Sequence, residues 1–124
     1  MTGLSPRQLH MTERPLSEFL QDILDAIADI ETFTANVDFE TFRHNREKVL
    51  AVVKSIEILG EAVKKIPDDI RSRYPQIPWK AIAGMRDVLV HEYWGIDLNV
   101  VWATVQVGIP PLKTTILEMQ EELQ

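Results

Sequence analysis

The sequence predicts an all-α protein, an antiparallel helical bundle of about four main helices with a broken last helix. Apolar residues recur at steps of three and four through most of the chain, which is the spacing of one helical face. The stripes are punctuated by proline, glycine and capping residues where helices should start and stop. The connections between them are short, which favours up-down packing of neighbours.

Residues 1–14 hold Gly3, Pro6 and scattered polar groups without periodicity, and read as a flexible tail before a single domain over 15–124. Pro15 opens the first helix. Its apolar stripe is Leu16, Phe19, Leu20, Ile23, Ile27, Ile30 and Phe33. Asp22, Asp25 and Asp29 occupy the other side and read as a solvated acidic face rather than a metal site. Asn36 and Asp38 mark a turn, with Asp38 as the N-cap of the next helix.

The second helix is expected to run unbroken from about Phe39 to Lys65, on a stripe of Phe42, Val49, Val52, Val53, Ile56, Leu59 and Val63. Gly60 interrupts it at a cost of about 1 kcal/mol relative to alanine, so a close helix approach is expected there. Glu57 and Glu61 are one turn apart and invite a metal hypothesis. Di-metal bundles use Glu-x-x-His pairs on facing helices, and the chain has none, so Glu61 with Lys64 or Lys65 reads as a surface pair. Residues 67–73 form a short helix, acidic at its start and basic at its end as the dipole favours. Tyr74-Pro75-Gln76-Ile77-Pro78 is a rigid connector. Pro78 suits the first position of the next helix, and Gly95 suits the residue just past its end. Asp97 caps the last helical region, whose apolar residues are Val100, Val101, Val105, Leu112, Ile116 and Leu123, and which Pro110-Pro111 should break or sharply kink.

Composition narrows the function classes. There is no cysteine, which excludes disulfides and thiolate metal sites. No apolar run reaches the roughly eighteen residues of a membrane span, and the N-terminus lacks the apolar core of a secretory signal, so a cytoplasmic location is expected. Net charge of −6 argues against indiscriminate nucleic-acid binding. The charge is unevenly spread: residues 1–40 carry net −6, residues 41–93 net +3, and residues 94–124 net −3. The middle segment is the only basic part of the chain. A salt-bridged helix pair and a polyanion-facing surface explain it equally well.

That basic segment ends in Trp79-Lys80-Ala81-Ile82-Ala83-Gly84-Met85-Arg86-Asp87-Val88-Leu89-Val90-His91-Glu92-Tyr93-Trp94-Gly95, the stretch with the most chemistry. Trp79, Ile82, Arg86, Leu89 and Tyr93 share one helical stripe. At about 100° per residue, Tyr93 falls almost over Arg86, whereas His91 lies about 140° round from it. Asp87 and His91 are one turn apart and share a side. The groups therefore form no tight triad on one helix; they can meet at one phosphate only across a groove or with a second chain supplying half the site. Spacing alone leaves a structural reading open: a His favoured by the dipole at a helix C-terminus, an ordinary Arg–Asp surface pair, and a packed Tyr.

The same residues carry a resemblance. Arg86, His91 and Tyr93 are similar to the Arg-x4-His-x-Tyr signature of HEPN-domain proteins, specifically the HepT-like toxins. Ile58-Leu59-Gly60-Glu61-Ala62 resembles that family's second-helix patch, and Pro78-Trp79 and Tyr93-Trp94-Gly95-Ile96-Asp97 resemble the flanks of its motif helix. The likeness runs from about Leu16 to the C-terminus. It implies a metal-independent endoribonuclease toxin without a cofactor, cutting RNA, with tRNA as a substrate class, through Arg86 and His91 in a homodimer cleft. Asp87 would orient His91. It also implies an antitoxin partner, an MntA-type nucleotidyltransferase that transfers AMP to Tyr93. Trp79, Trp94 and Trp102 fall within twenty-four residues, and part of that aromatic surface is expected in a subunit interface. The alternative is a non-catalytic helical subunit that binds a nucleotidyltransferase.

Overall fold

The computed structural model describes residues 14–91 and 95–123, with the backbone alone for 86–91. Every regular element among the described residues is helical. The predicted N-terminal tail lies almost wholly outside them.

Helix α1 (Leu16–Thr34) follows Pro15 and buries Leu20, Ile23, Ala26, Ile27 and Ile30. Asp38 caps α2 (Phe39–Arg43), accepting the Thr41 backbone N–H at 2.8 Å. That hydrogen bond holds the Asp38 carboxyl below its ordinary range. The structure then departs from the unbroken helix expected over residues 39–65. The Asn45 side chain accepts the Lys48 N–H at 3.1 Å, ending α2 and starting α3 (Arg46–Lys64). An Asn at this position offers the backbone a local partner that competes with helix continuation. The apolar stripe survives the break: Phe42, Val52, Val53, Ile56, Leu59 and Val63 are buried, and Val49 is half-buried. Gly60 is buried within α3.

Helix α4 (Asp68–Arg71) is one turn long, and α5 (Trp79–His91) is the motif helix. The last region is α6 (Leu98–Ala103), capped by Asp97, then a π segment (Thr104–Gly108), then α7 (Ile109–Leu123). The interruption expected at Pro110-Pro111 thus takes the form of a π turn just upstream, without a gap. Pro110 has no N–H and its ring would strike the carbonyl four residues back in a regular helix. The wider π turn, in which the Ile109 N–H reaches the Thr104 carbonyl, absorbs that misfit.

Helix α3 is central, packed against α1 on one side and α5 on the other, while α7 covers α1. Cross-element bonds give the directions. Lys48 Nζ donates to the Phe33 carbonyl at 3.1 Å, so α3 starts where α1 ends. Lys113 pairs with Glu31 and Gln120 with Gln21, so α7 runs antiparallel to α1. Tyr74 Oη donates to Glu122 at 2.6 Å, tying the connector before α5 to the end of α7. Helix α5 therefore begins near the end of α3 and runs antiparallel to it. One end of the bundle consequently gathers the end of α1, all of α2, the start of α3, the end of α5 and α6. Trp102 of α6 closes that end, with its ring 5.1 Å from Phe42 and 5.9 Å from Phe39.

Candidate functional site

Helix α5 is fixed at its N-terminus. The buried Trp79 indole N–H lies 3.0 Å from both the Arg71 and Tyr74 carbonyls, so it clamps the connector onto the start of the helix. The Pro78 carbonyl accepts the Ile82 N–H, which makes Pro78 the residue just before the helix rather than its first member. Further along, Ile82, Ala83 and Met85 pack on the core half-buried. The Thr104 hydroxyl donates to the Val100 carbonyl at 2.8 Å, and its oxygen sits 3.3 Å from Met85 Sδ. Helix α5 therefore meets the last helix where its π segment begins.

The motif residues follow this anchored half. Arg86, Asp87 and His91 all lie on the helical backbone of α5, and His91 is the last of its described residues. The register expected from spacing therefore holds as far as His91: about 140° separates Arg86 from His91, with an axial rise of about 7.5 Å. The side chains of Arg86, Asp87 and His91 lie outside the described residues, as do Tyr93 and Trp94 altogether. Glu61, on the neighbouring α3, is exposed, and Glu57 lies 3.8 Å from Lys54. Among the described residues no group of three His, Cys, Asp or Glu stands close enough to hold a metal ion. Nor is any of their helices long and apolar enough to cross a membrane.

Trp79 is buried in its own chain by the connector, and Trp102, partly buried, packs on Phe39 and Phe42 of α2. Exposed apolar side chains include the aliphatics Ile58 on α3 and Val100 and Val107 on the last helix.

A feature missed from the sequence lies at the same end of the bundle. The α2–α3 break and the start of α6 enclose a cavity of about 260 Å³ carrying Arg43, His44 and Arg46. The available signal was Asn45, a capping residue inside an apparently continuous stripe.

Residues 23–119 match the family described as "Ribonuclease HepT-like". The chain is 45% identical over 114 residues to a Methanocaldococcus jannaschii protein named "Putative RNase MJ1216", covering 92% of this chain and 94% of that one. It is 45% identical over 101 residues to a Thermococcus cleftensis protein named "Probable ribonuclease HepT", covering 82% and 92% respectively. A Caldanaerobacter subterraneus protein named "Putative RNase TTE0752" is 37% identical over 111 residues, covering 90% and 96%. No solved structure matches the chain.

Proposed function

Since the chain belongs to the ribonuclease HepT-like family, we propose that it is an endoribonuclease, the toxin of a toxin–antitoxin pair. The observation that carries the reading is the family match across residues 23–119, which spans the whole Arg86–Tyr93 motif, joined to relatives named as ribonucleases over most of their length.

The chemistry uses what RNA already contains. The 2′-hydroxyl attacks the adjacent phosphorus, and the bond from phosphorus to the 5′-oxygen breaks. His91, whose ordinary pKa lies near neutrality, takes the 2′-proton or delivers one to the departing 5′-oxygen. A single imidazole cannot do both in one concerted step, so two copies in a homodimer cleft suit the reaction better than one. Arg86 stabilises the charge growing on the phosphoryl oxygens through its planar fork of donors. Asp87, one turn from His91, orients the imidazole. The products are a 2′,3′-cyclic phosphate and a 5′-hydroxyl, and no step calls for a metal. tRNA is the proposed substrate class.

The proposed antitoxin is an MntA-type nucleotidyltransferase that transfers AMP to Tyr93. The phenol oxygen attacks the α-phosphorus of ATP, pyrophosphate leaves, and the phenolic proton passes to a base of the partner. A phosphodiester two residues from His91 would compete with substrate phosphate for Arg86, and the adenosine would obstruct the cleft.

One experimental design tests the scheme. Purified wild-type chain, His91→Ala and Tyr93→Phe are assayed on RNA in excess EDTA, before and after incubation with the nucleotidyltransferase, ATP and Mg²⁺. The wild type should cut and be silenced by a Tyr93 adduct. His91→Ala should not cut while keeping wild-type helix content. Tyr93→Phe should cut and resist silencing. Unimpaired cutting by His91→Ala refutes the catalytic assignment, and an adduct at Tyr93 that leaves cutting intact refutes the switch.

A further inference from the structure

At the end of the bundle where α5 finishes, the groove between the α2–α3 break and the start of α6 has two contrasting walls. Arg43 and Arg46 supply one. Val49, Leu50, Ile96 and Leu98 supply the other, and Leu50 is 37% exposed, large for an aliphatic on a central helix. Among the described residues no carboxylate lines this groove, whereas the more open depression beside it, which shares His44 and Arg46 with it, carries Glu40 and Glu47.

Arg46 is the informative residue. It sits in the first turn of α3, at the positive end of the helix dipole, where a cation is disfavoured. Lys48 in the same turn is explained by its bond to the Phe33 carbonyl. Arg46 is exposed and makes no ion pair or hydrogen bond of its own among the described residues. Glu47 in the same turn offsets the dipole but makes no ion pair with Arg46 among the described residues, so the guanidinium is left open to an external anion. Arg43 pairs with Glu40 at 3.3 Å, an exposed contact that yields readily to a phosphate. His44 Nδ1 donates to the Glu40 carbonyl at 2.9 Å, which leaves Nε2 as an acceptor when the ring is neutral.

The groove also lies close to the motif. Ile96 follows His91 by five residues, so its Cα lies within about 18 Å of His91 even along a fully extended chain. Apolar side chains beside guanidinium groups suit a nucleotide, whose base needs an apolar face and whose phosphate needs a cation.

Resting on the ribonuclease reading, we propose that this groove is a substrate subsite for a nucleotide of single-stranded RNA flanking the cleaved bond. Its phosphate sits on Arg46, assisted by Arg43, and its base lies against Leu50, Ile96 and Leu98.

The test reads binding separately from cleavage. Fluorescence anisotropy measures the affinity of the full chain for a fully 2′-O-methylated RNA oligonucleotide, which cannot be cut, over a range of salt. Removing one phosphate contact to a single strand should lower the slope of log affinity against log salt by about 0.7. Arg46→Ala should show that change and a roughly tenfold weaker Kd at low salt. Arg46→Lys should recover most of both. Lys54→Ala removes the same charge from an exposed position elsewhere on α3 and should leave the slope unaltered. Equal slopes for wild type and Arg46→Ala, or equal losses in Arg46→Ala and Lys54→Ala, overturn the subsite. If the slope depends on Arg46 but the wild type cuts no RNA, the subsite stands as an RNA-binding groove and the nuclease reading fails. If the wild type cuts RNA and Arg46→Ala binds as tightly, the subsite alone fails.

Discussion

Replacing Trp79 by Phe should cost about 2–3 kcal/mol of folding stability. The indole N–H is shared between the Arg71 and Tyr74 carbonyls. Both carbonyls keep a backbone partner in the variant, the N–H groups of Tyr74 and Ile77 respectively, so neither is orphaned. The polar loss is therefore that of one net hydrogen bond, about 1 kcal/mol, rather than the penalty of buried unsatisfied groups. The smaller ring also removes buried carbon at a site only 8% exposed, adding about 1–2 kcal/mol at roughly 0.8 kcal/mol per methylene equivalent. For a chain of 124 residues each kcal/mol shifts the melting temperature by about 4 °C, so Tm should fall by roughly 8–12 °C. Thermal unfolding followed by circular dichroism measures this directly. Trp79→Ala should cost more, about 3–5 kcal/mol, because the whole ring volume is lost. A fall under about 2 °C for Trp79→Phe would refute the claim that this indole fastens the connector to α5.

Two further outcomes follow from the same region. Tyr74 donates to Glu122, which holds its phenol above the ordinary value, so its folded-state pKa exceeds its unfolded one. The stabilisation is then fully present below about pH 10 and lost as pH rises through the folded value; Tyr74→Phe should be less stable than wild type by about 1 kcal/mol at pH 7 and approach it at high pH, and a stability gap that does not narrow in alkaline denaturant titrations would overturn the assignment. Gly84 lies in the middle of α5, and a Cβ there meets no atom of the described residues within 4 Å; Gly84→Ala should stabilise the chain by up to about 1 kcal/mol, and a lowered Tm would overturn that expectation.

The sequence carried most of this architecture because the apolar stripes decide it. Leu20, Ile23, Ile27 and Ile30 were readable as one helical face, and all are fully buried. Asp38 was readable as a cap and accepts the Thr41 N–H. What failed was the continuity of the second helix. Phe42 and Val49 are seven positions apart and keep the same face across a break, so periodicity cannot see the two-residue interruption at His44 and Asn45. Asn45 alone carried that signal, and an Asn inside a helical stripe is ambiguous between a cap and a solvated residue. The π segment was legible only as a problem: Pro110-Pro111 demanded some accommodation, but the helix's choice to widen rather than stop depends on tertiary packing of Val105, Ile109 and Leu112 on the core. The contacts of the tryptophans were not legible either. Proximity along the chain says nothing about direction, and Trp79 and Trp102 make different contacts, with the connector carbonyls and with α2.

The motif's position explains why a single helix can be enough scaffold for an incomplete site. Its first half is held by Trp79 and by the packing of Ile82 and Met85, so the backbone register of Arg86, Asp87 and His91 follows from a fixed start. About 140° between Arg86 and His91 means that a phosphate held by one cannot also be approached head-on by the other from the same helix. On the proposed mechanism, the rest of the constellation comes from beyond α5. Antiparallel packing delivers the end of α5 to the same pole as α2, the start of α3 and α6, where Arg43 and Arg46 stand beside Glu40 and Glu47. On the proposed ribonuclease reading, a net charge of −6 repels a polyanion from most of the surface, and the exposed Arg43 and Arg46 are cations that this end offers to it. Helix direction brings the end of α5 to the end of the bundle that carries the groove, and the Tyr74–Glu122 and Lys48–Phe33 bonds fix how the helices run.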